Sequence, residues 1–143
     1  MLLGKYENSI DAKNRLIIPA KIRDELGFKC VLTKGLDDCL ILYPISTWQD
    51  QENRLANLPM SDPAARAFKR YIYANAFECE IDKQGRILIP ANLKTAAKIE
   101  KELVTIAASD RVEIWAKEIY ENDENGEKMN GEKFNDFANH YQV

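Results

Sequence analysis

The sequence predicts an α+β fold, mainly β, made from two copies of one strand-rich unit with flanking helices. Three observations support this. The segment Ile10-Asp-Ala-Lys-Asn-Arg-Leu-Ile-Ile-Pro-Ala20 aligns without a gap on Ile81-Asp-Lys-Gln-Gly-Arg-Ile-Leu-Ile-Pro-Ala91, with six of eleven positions identical and two exchanging Leu and Ile. With one residue inserted, Leu40, Ile41, Leu42 and Tyr43 fall on Val112, Glu113, Ile114 and Trp115, and Trp48 falls on Tyr120. Short runs rich in β-branched residues, bounded by Asp, Asn, Gly and Pro, recur in both copies and have strand length rather than helix length.

The repeats are placed at 5–47 and 76–119, separated by a helical linker at 48–75 and followed by an acidic, mobile tail at 120–143. Each unit reads as strand, tight turn, strand, helix, strand, turn, strand. Residues 6–10 and 76–81 are the first strands. In the turn that follows, Gly85 stands where a positive φ is needed, and Asn14 is the next most tolerant residue for it. Asp11 and Asp82 can accept hydrogen bonds from their own turn backbone. The second strands, 16–18 and 87–89, end at Pro19 and Pro90, which suit the first turn of a helix. The first helix is placed at 21–26 with Gly27 as its stop; its counterpart through 93–98 has no glycine stop. Strands at 30–33 and 103–106 follow, then turns at 36–39 and 109–111. In the linker, Ser46-Thr-Trp-Gln49 has a capping-box pattern heading a helix to about residue 57. Pro59 breaks it, and Asp62-Pro63 caps a second helix through about residue 75. The stretch 121–131 reads as a mobile acidic connection before a short helix near 134–141.

The chain has 143 residues, ordinary for one compact domain or two small ones sharing a core, and its 45% apolar content is enough to bury one. No apolar run reaches the ~20 residues of a membrane span. The start, Met1-Leu-Leu-Gly-Lys-Tyr-Glu7, lacks the layout of a signal peptide. Cys30, Cys39 and Cys79 are odd in number and scattered, which points to apolar filler in a reducing cytoplasm rather than disulfides or a zinc site. The net charge of −3 hides an uneven distribution. Residues 1–35 hold seven Lys/Arg against four acids, and residues 118–143 hold seven acids against Lys128 and Lys133. A basic end and an acidic tail result.

Strand, turn and strand place Asp11 and Arg15, and likewise Asp82 and Arg86, at the tip of a β-hairpin. An arginine there can reach phosphate oxygens or take guanine O6 and N7 bidentately in a major groove. The aspartate four residues earlier can pin the guanidinium and hold it pre-aimed. Lys5, Lys13 and Lys21 in the first repeat, and Lys83 in the second, would add attraction to phosphates. Seen once, an Asp–Arg pair reads as a turn stabiliser. Seen twice at one register, with its charges retained, it reads as a working site.

These residues resemble the MraZ family, which is built from two SpoVT/AbrB-type repeats. The stretch from Gly4 to Gly27 is similar to that family's N-terminal signature, and 33–40 and 79–86 are similar to its other blocks. The resemblance covers about 1–120 and carries little of the tail. It implies a pseudo-symmetric swapped-hairpin β-barrel with helices packed outside, assembly into a ring of subunits, and regulation of transcription. It further implies binding to direct repeats in the promoter of the family's own division and cell-wall gene cluster. On this resemblance Asp11, Arg15, Asp82 and Arg86 contact DNA, and the protein is cytoplasmic and associated with the nucleoid. Asn14 departs from the family's usual glycine, although Asn tolerates the left-handed region. The expected partners are double-stranded DNA and further copies of the chain, with no membrane and no small-molecule substrate.

Other residues carry less. Arg66, Lys69, Arg70 and Tyr73 share one face of the second linker helix, Phe68 and Ile72 another, and the cationic face reads as solvated or as a subunit contact. Trp48 and Trp115 read as core or interface anchors. His140 is the only histidine and lies in the tail. Without a phosphate-binding loop, clustered metal ligands or a nucleophile beside a base, neither an enzyme nor a cofactor nor a metal site is expected. The alternative reading is a protein-interaction, antitoxin-like module of the same fold class whose acidic tail holds a partner.

Overall fold

The computed structural model describes residues 1–122 and 128–143. The chain folds into eight strands and six helices among these residues. In the first repeat these are β1 (Leu2–Ser9), β2 (Arg15–Ile17), α1 (Ala20–Leu26), β3 (Lys29–Lys34) and β4 (Leu40–Pro44). Helices α2 (Ile45–Ala56) and α3 (Pro63–Ala74) follow. The second repeat supplies β5 (Phe77–Glu80), β6 (Arg86–Leu88), α4 (Ala91–Ala96), β7 (Glu102–Ser109) and β8 (Val112–Ala116), and α5 (Lys117–Glu121) and α6 (Gly131–Tyr141) end the chain. The acidic connection expected over 121–131 falls, at 123–127, outside the described residues.

The repeats interlace. One sheet has six strands in the order β1-β7-β8-β4-β3-β5, and β2 pairs only with β6. All pairings are antiparallel. Strand β1 of the first repeat therefore lies against β7 of the second, while β5 of the second lies against β3 of the first. The registers obey a pseudo-twofold, since repeat-equivalent residues face each other at Leu16↔Ile87 and at Ile41↔Glu113. Hydrogen bonds repeat it: Ile18 N–H donates to Gly85 O and Ile89 N–H to Asn14 O, each at 2.8 Å.

Two sequence expectations are corrected here. The sheet is open, with β1 and β5 at its edges, and no closed barrel forms among the described residues. The second strands are too short to close one, because Pro19 and Pro90 have no N–H to extend a ladder beyond three residues. Nor is the Asp–Arg turn a hairpin tip: β1 and β2 belong to different sheets, so the turn is a corner between sheet and ribbon.

Alternation distributes the core over both faces of the sheet. Leu32, Leu40 and Leu42 join Leu16, Ile18, Ile87, Ile89 and Leu103 in the main cluster beneath the ribbon. Their neighbours Val31, Ile41 and Tyr43 turn the other way, to Trp48, Leu55 and Ile72 under α2 and α3. Trp48 is thus a core anchor, 5.8 Å from Tyr43 and 6.0 Å from Tyr73 between ring centres. Its repeat equivalent, Tyr120, lies 5.9 Å from Trp115. Cys30, Cys39 and Cys79 are buried free thiols, and Cys30 faces Cys79 across β3 and β5.

Helix ends follow the local chemistry with small shifts. Helix α2 starts one residue before Ser46, from Pro44 (φ −56, ψ 151), and no side chain caps it. The fixed φ of Pro44 ends β4 and launches the helix directly, so the expected capping box is not used. Asp62 does cap α3, accepting from Ala64 N–H at 2.9 Å. Gly27 stops α1 at φ 85, and after the shorter α4 Lys98 takes the left-handed φ of 56 where no glycine is available. Among the described residues no helix is long and apolar enough to cross a membrane.

Candidate nucleic-acid interface

Each turn is built around its aspartate. Asp11 Oδ1 accepts the N–H of Lys13 at 2.9 Å and of Arg15 at 2.8 Å, while Oδ2 accepts Arg15 Nε–H at 2.9 Å. Asp82 repeats this with the N–H of Gln84 and Arg86 at 2.9 and 2.8 Å and with Arg86 Nε–H at 2.9 Å. Both carboxyls are held below the usual carboxylate value, chiefly by the arginine backbone N–H, so they stay charged. The loop closes through Asn14 N–H to Asp11 O at 3.0 Å and Gly85 N–H to Asp82 O at 2.9 Å. That closure needs a left-handed residue, and Asn14 (φ 61) and Gly85 (φ 79) supply it as the sequence predicts.

Because each carboxylate holds Nε, the outer guanidinium nitrogens point away from the pair. Arg86 Nη2 donates to Gln84 Oε1 at 2.6 Å; in the first turn Lys13 stands at that position, adding a cation instead. The ribbon then unites the two turns. Leu16 and Ile87 point inward, 0% and 1% exposed, so Arg15, Ile17, Arg86 and Leu88 occupy the outer face. Arg15 pairs with Leu88 and Ile17 with Arg86, which sets the arginines on one diagonal, about 7–8 Å apart at the backbone. Ile17 (53% exposed) and Leu88 (59%) lie beside them as bare apolar surface.

The remaining expected residues divide. Lys13 and Lys83 are exposed within the turns, and Lys21 is exposed on the first turn of α1 just past the ribbon. Lys5 does not join them. It lies six residues before Asp11, about 20 Å back along the chain if extended, 3.9 Å from Glu7 and 5.2 Å from the Tyr120 ring centre. Sequence reasoning missed two cations. Arg23 donates Nε–H to Ile18 O at 2.7 Å and lays its guanidinium across Gly85 of the other repeat. Its repeat equivalent Lys94 donates to Asn14 Oδ1 at 3.1 Å. The signal was a cation at the same register in both copies; its meaning needed the crossing of the repeats.

The fold and this ribbon define a duplicated, pseudo-symmetric protein that presents paired Asp-x-x-x-Arg turns on a two-stranded platform. The family model described as "MraZ protein, putative antitoxin-like" matches it twice, over residues 1–71 and 72–136. A relative from Thermoanaerobacter sp. (strain X514), named "Transcriptional regulator MraZ", is 55% identical over 140 residues, covering 98% of this chain and 96% of its own. Relatives of the same name from Caldanaerobacter subterraneus subsp. tengcongensis (57% over 121 residues, 85% of both chains) and Clostridium beijerinckii (52% over 118 residues, 82% and 83%) agree. The chain belongs to the MraZ family.

Proposed function

We propose that this chain is a DNA-binding transcriptional regulator that engages duplex DNA with the outer face of the β2–β6 ribbon. The observation that carries this is the placement of Arg15 and Arg86 together on the outer face of the ribbon, each held at Nε by its aspartate. A planar fork held this way loses little entropy on meeting a phosphate or a guanine edge. Lys13, Lys83 and Lys21 supply further attraction to phosphates. Asp11 and Asp82 act as positioning residues, since their oxygens are engaged within the turn. The relatives' shared name supports the regulatory role.

The interlaced strand pairing supports reading the fold as a swapped-hairpin architecture. One ribbon offers few cations, so we place the chain in a ring of copies facing direct repeats in the promoter of its own gene cluster, where tethered weak contacts multiply. A fluorescence-anisotropy titration with the DNA upstream of the chain's own gene tests the reading. Replacing Arg15 and Arg86 together by Ala should cost about 1–3 kcal/mol per base contact, or lower the salt slope by about one per phosphate contact. Unchanged affinity and unchanged slope would move the site off the ribbon.

A further inference from the structure

The outer face of the β2–β6 ribbon has four positions, and two of them are not cationic. Arg15 stands opposite Leu88, and Ile17 opposite Arg86. The pseudo-twofold through Leu16 and Ile87 therefore presents the same arginine–aliphatic pair twice, once from each strand. Ile17 and Leu88 both stay more than half exposed. A lone exposed aliphatic is ordinary on a protein surface. A strand with one solvated face, however, places polar residues outward, whereas each of these strands places one cation and one aliphatic there, at the same register in both repeats. The backbone beneath them is fixed. Asn8 Nδ2–H donates to Ile17 O at 2.9 Å, and Ile18 and Ile89 N–H close on the opposite turn.

Duplex DNA offers an apolar partner to positions of this kind. In the major groove thymine carries a C5 methyl group, which aliphatic side chains contact. That groove, about 12 Å wide, admits a two-stranded ribbon, while the minor groove, about 6 Å wide, presents no methyl. Directly opposed side chains stand about 4.5–5.5 Å apart at Cβ, and successive bases rise by about 3.4 Å. An arginine and the aliphatic residue opposite it thus reach neighbouring base pairs. We infer that Ile17 and Leu88 are specificity-determining residues that read thymine methyls beside the groups held by Arg86 and Arg15. This rests on the proposed contact between ribbon and DNA and adds the base that it selects. An aliphatic contact neutralises no phosphate, so it changes affinity without changing the salt slope.

The test uses the full chain and the DNA upstream of its own gene, synthesised once with thymine and once with uracil, which pairs alike but lacks the methyl. Fluorescence anisotropy at one salt concentration reads the affinity. One lost CH2-sized contact weakens binding about fourfold, so uracil DNA should bind on the order of tenfold more weakly for the two positions of a ribbon. Ile17→Ser/Leu88→Ser should lose a similar factor on thymine DNA, lose nothing further on uracil DNA, and keep its salt slope. Equal affinity of the unaltered chain for both DNAs would overturn the inference, as would a variant that still distinguishes them. A fall in the variant's assembly mass in light scattering would overturn it too, by assigning the two side chains to a contact between copies. The comparison of thymine with uracil DNA needs no substitution, so it stands even if the variant folds poorly. Arg15→Ala/Arg86→Ala separates the two levels. If that variant binds thymine DNA weakly while uracil changes nothing for the unaltered chain, the ribbon contact holds and only the methyl reading fails. If it binds normally, the ribbon contact fails with it.

Discussion

The two turns differ in a matched way, and exchanging one half of the match gives a quantitative test. In the second turn Gly85 is buried at φ 79, and a Cβ built there would collide with the Arg23 guanidinium. In the first turn Asn14 occupies the same position, and the cation above it is Lys94, which meets the amide end-on. A flat guanidinium therefore goes with glycine, and an ammonium goes with asparagine. Gly85→Asn keeps a residue that tolerates positive φ but evicts Arg23 from its place. The loss includes the 2.7 Å bond from Arg23 Nε–H to Ile18 O. A hydrogen bond to a charged group contributes about 1.5–3 kcal/mol; Arg23 is only partly buried, so water offsets part, and the expected cost is about 1–2 kcal/mol. Urea denaturation of Gly85→Asn, Arg23→Lys and the double variant closes the cycle. Arg23→Lys should recover at least half the cost in the double variant, because it recreates the Asn14–Lys94 pairing. A cost for Gly85→Asn below about 0.5 kcal/mol, or purely additive variants, would refute the matching.

Three further outcomes are expected. Leu16→Ala removes a fully buried side chain at the pseudo-twofold and should lower unfolding free energy by about 2–5 kcal/mol in the same denaturation assay. Asp62→Ala removes the side-chain cap of α3 and should cost about 0.5–2 kcal/mol, read by thermal melting with circular dichroism. Asp11 and Asp82 have depressed folded pKa values, so their contribution is present above the unfolded carboxylate value and is lost as pH falls through the lower folded one. Carboxyl-carbon NMR should accordingly find both titrating below about 3.9, and a midpoint at or above that value for either would contradict the turn geometry.

Legibility in the sequence followed the range of the interaction. The Asp11 and Asp82 turns, the left-handed Asn14 and Gly85, the Asp62 cap and the Gly27 stop were all readable, because each is settled within about five residues by backbone sterics and short hydrogen bonds. The capping-box reading at Ser46 failed at equally short range, since Pro44 launched α2 without it. Arg23 and Lys94 were visible as repeated cations but carried no local clue that each would cross to the opposite turn.

By itself, then, the sequence determined the duplication, the α+β class, the order of elements as far as β8 and the Asp–Arg turns, through periodicity and local conformational preference; α5 was not read from it. Only the tertiary structure decided which strands pair. Burying Leu16 against Ile87 required the two short strands to find each other rather than their own neighbours. Strand pairing is a long-range choice made by the burial of whole faces, and no local signal encodes it. That choice turned two expected hairpin tips into corners of one ribbon and brought Arg15 and Arg86 to a single face.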